Sequence, residues 1–317
     1  MVLGVAAIVS GALILRPWGR TLPPVAEMKA AEEQRRIAWR IATPRMEIAQ
    51  EDSIKAVDAR LQQVADFFTE RKKRVPAFAG RVLSLRSKWE LGWSKMPFTD
   101  KDAHARFLKS EFSRLVFSEA ELSHVVTQSV EDTVHDVQAI ENTLLVKIRA
   151  DLIDLPDCLA ALPELKTESL FRDRFRSLLT GLSAKTGTDM QLDVTRLVSS
   201  EIATVIVLRV STAIAARLGV SAGIVGAGAA MGPETAGATL LIGIAVDQIV
   251  GWVIGWFYNP EAEIAAKLNQ QLDQVAALLI NGDKTTRGLK QELLALAEKR
   301  KALREAALRE MIVGVPH

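Results

Sequence analysis

The distribution of charge constrains the fold of this chain more than any other feature. The stretch 202–257 contains only four charged side chains, and the first fifteen residues contain none. The other 246 residues hold 74 of the 78 lysines, arginines, aspartates and glutamates, which is about 30% of that part of the chain and typical of a water-soluble helical protein. Two apolar islands therefore interrupt an otherwise polar sequence.

The composition favours helices over sheets. Aromatic residues make up only 5% of the chain, with one tyrosine, whereas Ala, Leu, Glu, Arg and Lys are abundant. Apolar residues recur at three- and four-residue spacing, and no alternating strand pattern of useful length occurs. We therefore expect an all-α fold of long amphipathic helices, with an N-terminal hydrophobic anchor and an internal glycine-rich hydrophobic helical hairpin.

Net charge and cysteine content exclude several classes of protein. The formal charge of +2 gives no reason to expect nucleic acid as a partner. The single cysteine, Cys158, excludes an intrachain disulfide and any cysteine-based zinc cluster. We expect Cys158 to be a small buried apolar residue rather than a reactive thiol.

The second apolar island predicts two helical arms joined by a turn. The first arm runs from Ile202 to Val225 and the second from Gly237 to Phe257, about 24 and 21 residues, so each could span a bilayer. Between them, Gly232-Pro233-Glu234-Thr235 predicts a turn, because proline cannot continue the first helix and suits the start of the next. Aromatic side chains at the end of the second arm would lie among the headgroups, namely Trp252, Trp256 and Tyr258.

Small residues recur at every fourth position in both arms, a spacing that lets two helix backbones approach closely in lipid. The predicted packing residues are Ser211, Ala215, Gly219, Gly223 and Ala227 in the first arm and Gly243, Gly251 and Gly255 in the second. Three charges would lie within the membrane, Arg209, Arg217 and Asp247. An Arg217–Asp247 ion pair at equal depth is one interpretation, and contact with a second subunit, a cavity or the headgroups is another. The third is that these charges snorkel from a hairpin that is peripheral or part of a soluble fold.

Residues 1–15 predict an N-terminal membrane anchor. As a helix they would reach about 22–25 Å, slightly short of a hydrocarbon core of about 30 Å, and Trp18 with its flanking arginines would lie at the interface. A cleaved signal peptide, a mis-started reading frame and a buried soluble helix are the alternatives. Residues 16–46 carry seven Lys or Arg against three Glu, which favours either anionic lipid or a solvated helix face.

The polar part between the islands predicts a series of amphipathic helices. The apolar residues from Ile54 to Phe68 follow helical spacing and form one stripe. Ser118-x-x-Glu121 is a capping box, which predicts the start of a long helix that continues to about Leu152.

Two further helices are predicted after the second island. Asn259-Pro260-Glu261 predicts a helix start, and Gly282 predicts its end. A last helix runs from about Arg287 to Met311. These two helices would either pack against the region 50–200 or form a coiled-coil partner surface, and the first is favoured because neither stripe sustains several heptads.

Two motifs suggest chemistry weakly. Gly223-Ile-Val-Gly226-Ala-Gly228 and the residues up to Gly232 resemble the dinucleotide-binding fingerprint of flavoproteins, but Met231 stands at the third required glycine and no βαβ series follows. Glu121-x-x-His124 and Asp132-x-x-His135 each place a carboxylate and an imidazole on one helix face. They lie on the same predicted helix, about 16 Å apart, so we interpret them as surface residues rather than one metal centre.

The sequence therefore predicts a non-enzymatic membrane protein without a cofactor. Its parts would be an anchor or signal-like segment at 1–20, a helical domain at 21–200, a transmembrane hairpin at 201–258 and an amphipathic helical pair at 259–317. The expected role is structural or scaffolding, with the lipid bilayer and a second copy or other membrane proteins as partners. A helical pore-forming protein that inserts its hairpin on contact with lipid is the main alternative, and a dinucleotide-binding enzyme comes third.

Overall fold

A computed structural model describes residues 25–93, 101–185, 199–217 and 261–314. Within these ranges the chain is helical and forms no named strand, which confirms the all-α prediction. The predicted N-terminal anchor and all of the hairpin beyond Arg217 lie outside the described residues. The helices are α1 (Val25–Lys72), α2 (Val75–Trp93), α3 (Lys101–Leu115), α4 (Glu119–Ile153), α5 (Pro156–Ala161), α6 (Glu168–Lys185), α7 (Ser199–Arg217), α8 (Glu261–Asn281) and α9 (Leu289–Ile312), with a short 3-10 helix at Pro163–Lys166.

The helix boundaries follow the capping signals. Ser118 accepts a hydrogen bond from the Glu121 backbone N–H at 3.2 Å, and the Glu121 carboxylate accepts one from the Ser118 N–H at 2.7 Å. This reciprocal pair satisfies two N–H groups at the start of α4. At the end of α8, Gly282 takes φ = 67°, a conformation that glycine adopts without steric cost. Both predicted boundaries are confirmed.

The three long helices α1, α4 and α9 form the frame of the fold. Arg45 of α1 pairs with Asp151 near the end of α4, whereas Arg71 of α1 pairs with Glu121 near its start. The two helices therefore run antiparallel. Lys290 at the start of α9 pairs with Asp58, and Arg304 further along α9 donates to Gln50. α9 therefore runs antiparallel to α1 and parallel to α4.

Buried apolar side chains form two clusters at different levels of this frame. The first cluster contains α1 from Val57 to Phe68, α4 from Leu122 to Val134, the start of α9, and buried residues of α2, α3, α7 and α8. The second cluster contains α1 from Ala38 to Ala49, α4 from Leu144 to Leu152, the end of α9, and residues of α5 and α6. Cys158 lies in the second cluster and is fully buried, as expected, and burial raises the pKa of its thiol.

α7 and α8 flank the apolar segment that continues from Arg217. Ser199 at the start of α7 contacts His135 of α4, and the buried residues of α7 join the α4 residues that precede His135, so α7 runs antiparallel to α4. Its 18 steps of about 1.5 Å extend α7 about 27 Å from His135 towards the start of α4. α8 begins beside Gly80 of α2 and passes Lys72 at Asp273. Arg217 and Glu261 therefore lie towards the same end of the frame, which we call the exit end.

Candidate functional site

Among the described residues, buried charges lie in a polar layer between the two apolar clusters, at the contact of α7 with α9, and at Glu111 beside Arg81 and Arg114. The polar layer consists of Gln50, Ser53, Glu141, Arg300 and Arg304. Its centre is an ion pair in which Arg300 donates two hydrogen bonds of 2.6 Å to the two carboxylate oxygens of Glu141. The side chains of Arg300 and Glu141 are only 7% and 5% exposed. Such a bidentate pair is strong and geometrically specific.

Arg304 adds a second buried cation to this layer. Its side chain is 1% exposed, and its guanidinium lies 3.8 Å from the carboxylate that already binds Arg300. It also donates a hydrogen bond to Gln50 Oε1 at 3.3 Å, while its Nε has no hydrogen-bond partner. Burial lowers the pKa of Arg304, because the charged form loses hydration that one shared carboxylate only partly replaces.

The polar layer interrupts hydrophobic contact along the frame. Gln50 and Ser53 contribute to it from α1, Glu141 from α4, and the two arginines from α9. Gln50 also donates to Glu298 at 2.7 Å, which continues the network towards solvent. Among the described residues, Leu303 alone packs against both apolar clusters.

α7 belongs to the first apolar cluster rather than standing apart from the body. Its side chains at three- and four-residue intervals are buried, from Ile202 through Ile206 and Val210 to Ile214. Ser211, one of the predicted membrane packing residues, is fully buried here, and its hydroxyl has no hydrogen-bond partner. The described start of the predicted first arm thus packs against α4, α8 and α9.

Arg209, predicted as an intramembrane charge, lies beside α9. Its guanidinium is 3.5 Å from Glu292, whose side chain is 7% exposed. Glu292 lies in the first turn of α9, where a carboxylate is favoured by the helix dipole, and Arg287 approaches it at 3.7 Å. We call this contact the α7 latch, defined by Arg209 and Glu292.

Between Ile202 and Ile214 the solvent-facing side of α7 carries a single charge, Arg209, and Glu201 in the first turn is also exposed. Leu208 is 41% exposed, Thr212 is exposed, and Val205 is half-buried. No other residue between 202 and 214 carries a charge. α7 is therefore amphipathic by burial but not by composition.

The remaining predicted site residues fall outside the described part. These are Trp18, Gly219, Gly223, Ala227, Gly243, Asp247, Gly251, Trp252, Gly255, Trp256 and Tyr258, and the side chains of Ala215 and Arg217 at the end of α7. The proposed Arg217–Asp247 pair and the dinucleotide-like glycines lie there too. They stay predictions.

The carboxylate–imidazole motifs of α4 are engaged elsewhere. Glu121 forms the capping box and pairs with Arg71, and Asp132 pairs with Arg60 at 3.2 Å. Within the ranges that the structure describes, no group of three or more His, Cys, Asp or Glu side chains could hold a metal ion.

An open groove of about 660 Å³ runs between α1 and α4 beside these residues. The charges that line it balance: the cations are Arg60, Arg71 and Arg74, and the anions are Asp66, Glu70 and Asp132. Arg71 lies over the ring of Phe67 at 4.9 Å. The groove therefore has no net charge with which to select a charged ligand.

Comparisons with protein-family models, with curated proteins and with solved structures found no match to this chain. Among the helices described, none has both the length and the apolar composition that crossing a membrane requires.

Proposed function

We propose that this protein is a non-enzymatic, membrane-associated helical scaffold that holds its apolar segment at one end of a charged helical body. The observation that carries the proposal is the position of the two flanking helices. α7 leads into the segment and α8 follows it, and both approach the exit end. A segment that leaves and returns at one end can enter a bilayer as a hairpin while the body stays on one side.

The composition of the segment and of the body supports the same division. The residues 218–257 contain only Glu234 and Asp247 as charged side chains. The body buries its apolar side chains in two clusters and covers α1 and α4 with ion pairs such as Arg45–Asp151 and Arg60–Asp136. Apolar surface for lipid is therefore concentrated in the segment, where self-association through small residues would also occur.

Cysteine accessibility tests this proposal. In a Cys158→Ala background, single cysteines at Glu234, Asn259 and Thr99 are labelled with an impermeant maleimide in intact cells and in inverted vesicles. We expect Glu234→Cys to be labelled from the side opposite to Asn259→Cys and Thr99→Cys. Ala302→Cys, on the exposed side of α9, serves as a reference for the body. Labelling of all of them from one side would refute a spanning hairpin.

A pore-forming protein that inserts its hairpin on contact with lipid is the second candidate function. It is favoured by the storage of residues 202–214 within the first apolar cluster, since a water-soluble form must keep such residues covered. Dye release from liposomes separates the two candidates. A monomer that becomes oligomeric and releases dye favours the pore, whereas retention in carbonate-washed membranes without leakage favours the scaffold.

A further inference from the structure

We infer that the polar layer divides the body into two cooperative units, each of which opens without the other. The exit-end unit contains the first apolar cluster, and the distal unit contains the second. A unit opens when its helices separate and expose backbone amides to water while the other unit stays packed. This division concerns the body alone and does not depend on the proposed function.

Each frame helix has a gap between the two clusters, in which neither cluster has a buried member. The gaps are 50–56 in α1, 135–143 in α4 and 297–306 in α9. At about 1.5 Å per residue, the clusters are about 12–17 Å apart along these helices. Val137 and Ala297 are buried at this level but belong to neither cluster. Because Leu303 alone among the described residues packs against both clusters, direct apolar contact between the units is slight.

The other helices contribute to one unit each. α2, α3, α7 and α8 supply buried side chains to the first cluster only, whereas α5 and α6 supply them to the second only. Each frame helix gives one of its ends to each unit. Since helices fray from their ends, a unit can open from the ends of the frame inwards and stop at the polar layer.

The polar layer lowers the free energy that opening at this boundary requires. An apolar core that splits exposes apolar surface on both sides of the split. At the layer, opening of one unit instead gives water access to Glu141, Arg300 and Arg304, whose burial carries a desolvation penalty. The network already reaches solvent through Gln50 and the exposed Glu298. Opening of one unit therefore restores hydration at the boundary while the packing of the other unit is retained.

The division separates the two helices that flank the apolar segment from α5 and α6. α7 and α8 belong to the exit-end unit, so they can loosen while the distal unit keeps its packing. The open forms are a small minority of the native molecules, and unfolding of the whole chain in urea therefore remains a single transition.

Amide hydrogen exchange of the full-length chain, followed by mass spectrometry, tests the inference with a matched pair of substitutions. Leu179→Ala removes a buried leucine from α6 in the distal unit, and Leu272→Ala removes one from α8 in the exit-end unit. Peptides from α4 report on both units within a single helix. Residues 122–134 lie in the exit-end unit, and residues 144–152 lie in the distal unit.

We expect Leu179→Ala to speed exchange about 100-fold in 144–152 and in α6. Exchange in 122–134 and in α8 should stay within about threefold of the original, because the distal unit is packed whether the exit-end unit is closed or open. Leu272→Ala should give the reverse pattern. If either substitution speeds exchange more than about tenfold in the half of α4 that belongs to the other unit, the body is one cooperative unit and the inference fails.

A second comparison tests whether the polar layer is the boundary. Glu141→Leu, Arg300→Met and Arg304→Met together replace its charges by apolar side chains of similar volume. In this triple variant Leu179→Ala should speed exchange in both halves of α4, since the two clusters then meet through apolar contact. If the effect stays within 144–152, the boundary is not set by the polar layer and that assignment is overturned. The two single substitutions decide whether there are two units even if the triple variant does not fold.

Discussion

The polar layer makes a sharp prediction about stability, because it contains two buried cations and one fully buried carboxylate. Replacing Glu141 by Gln keeps the shape of the side chain but removes the only buried counter-charge. Arg300 then loses the carboxylate charge and one of its two acceptors at 2.6 Å, because the glutamine amide has only one oxygen, and Arg304 loses its nearest anion at 3.8 Å. Removing one partner of a buried ion pair costs about 3–5 kcal/mol, and we expect a loss in this range for Glu141→Gln.

The opposite substitution should cost far less. Arg304→Met removes the cation that shares its carboxylate and whose Nε has no partner, and Met fills a similar volume. The loss leaves Gln50 Oε1 without its donor at 3.3 Å, a penalty of about 1 kcal/mol. The relief of desolvation offsets this penalty, so we expect the free energy of unfolding to stay within about 1 kcal/mol of the original.

Equilibrium unfolding in urea, followed by far-ultraviolet circular dichroism, measures both effects. With a slope of about 3 kcal/mol per M, Glu141→Gln should lower the midpoint by about 1–1.7 M, and Arg304→Met should move it by no more than about 0.3 M. Equal losses for the two variants would refute the reasoning, since they would mean that Arg304 is as well compensated as Arg300.

Four further single substitutions test other parts of the fold. Gly282→Ala should lower the free energy of unfolding by about 1–3 kcal/mol, because φ is 67° and an added Cβ would clash with the backbone oxygen of Thr286. Gly181→Ala, with open space around it, should stabilise α6 by up to about 1 kcal/mol. Thermal unfolding compares the two variants. Ser211→Ala should raise the free energy of unfolding by about 1 kcal/mol in urea titration, since it removes a buried hydroxyl without a partner, and a loss would contradict this. A hydrogen bond from Arg114 lowers the pKa of Glu111. The ionised carboxylate therefore stabilises the fold fully above its usual pKa of about 4.3, and this contribution is lost as the pH falls through the lowered pKa. When the free energy of unfolding is measured against pH, Glu111→Gln should reduce the loss of stability on the acid side.

Much of the helical framework could be predicted from local signals. The capping box at Ser118 and the glycine at 282 act through nearby backbone groups, so the sequence contains all the information that they need. The continuation of α1 through Pro44 to a length of 48 residues could not be predicted in this way. Tertiary packing against α4 and α9 outweighs the hydrogen bond that proline removes.

The polar layer was missed, although the sequence carries a signal for it. Arg300 continues the apolar stripe of α9 four residues after Leu296, and Glu141 lies on the α4 stripe between Val137 and Leu144. A charge on a buried stripe indicates a buried partner. Which charges meet depends on the relative register of α4 and α9, and that register is a property of the folded chain alone.

α7 could not be assigned from composition because nearly every position is apolar or small. Periodicity identifies a buried face only when the opposite face is polar, and α7 has no such contrast. The uninterrupted apolar run of about 24 residues from Ile202 therefore predicted a membrane arm. The described part of that run instead packs in the first apolar cluster.

The length of α1 gives the body a stand-off distance. Gln34, whose carbonyl oxygen accepts the Cys158 thiol at 3.7 Å, marks the level of α5, and Lys72 marks the exit end. Along the helix these two residues are about 57 Å apart at 1.5 Å per residue. Under the proposed function, α1 would act as a spacer, and a molecule bound beside α5 would be held several nanometres from the membrane.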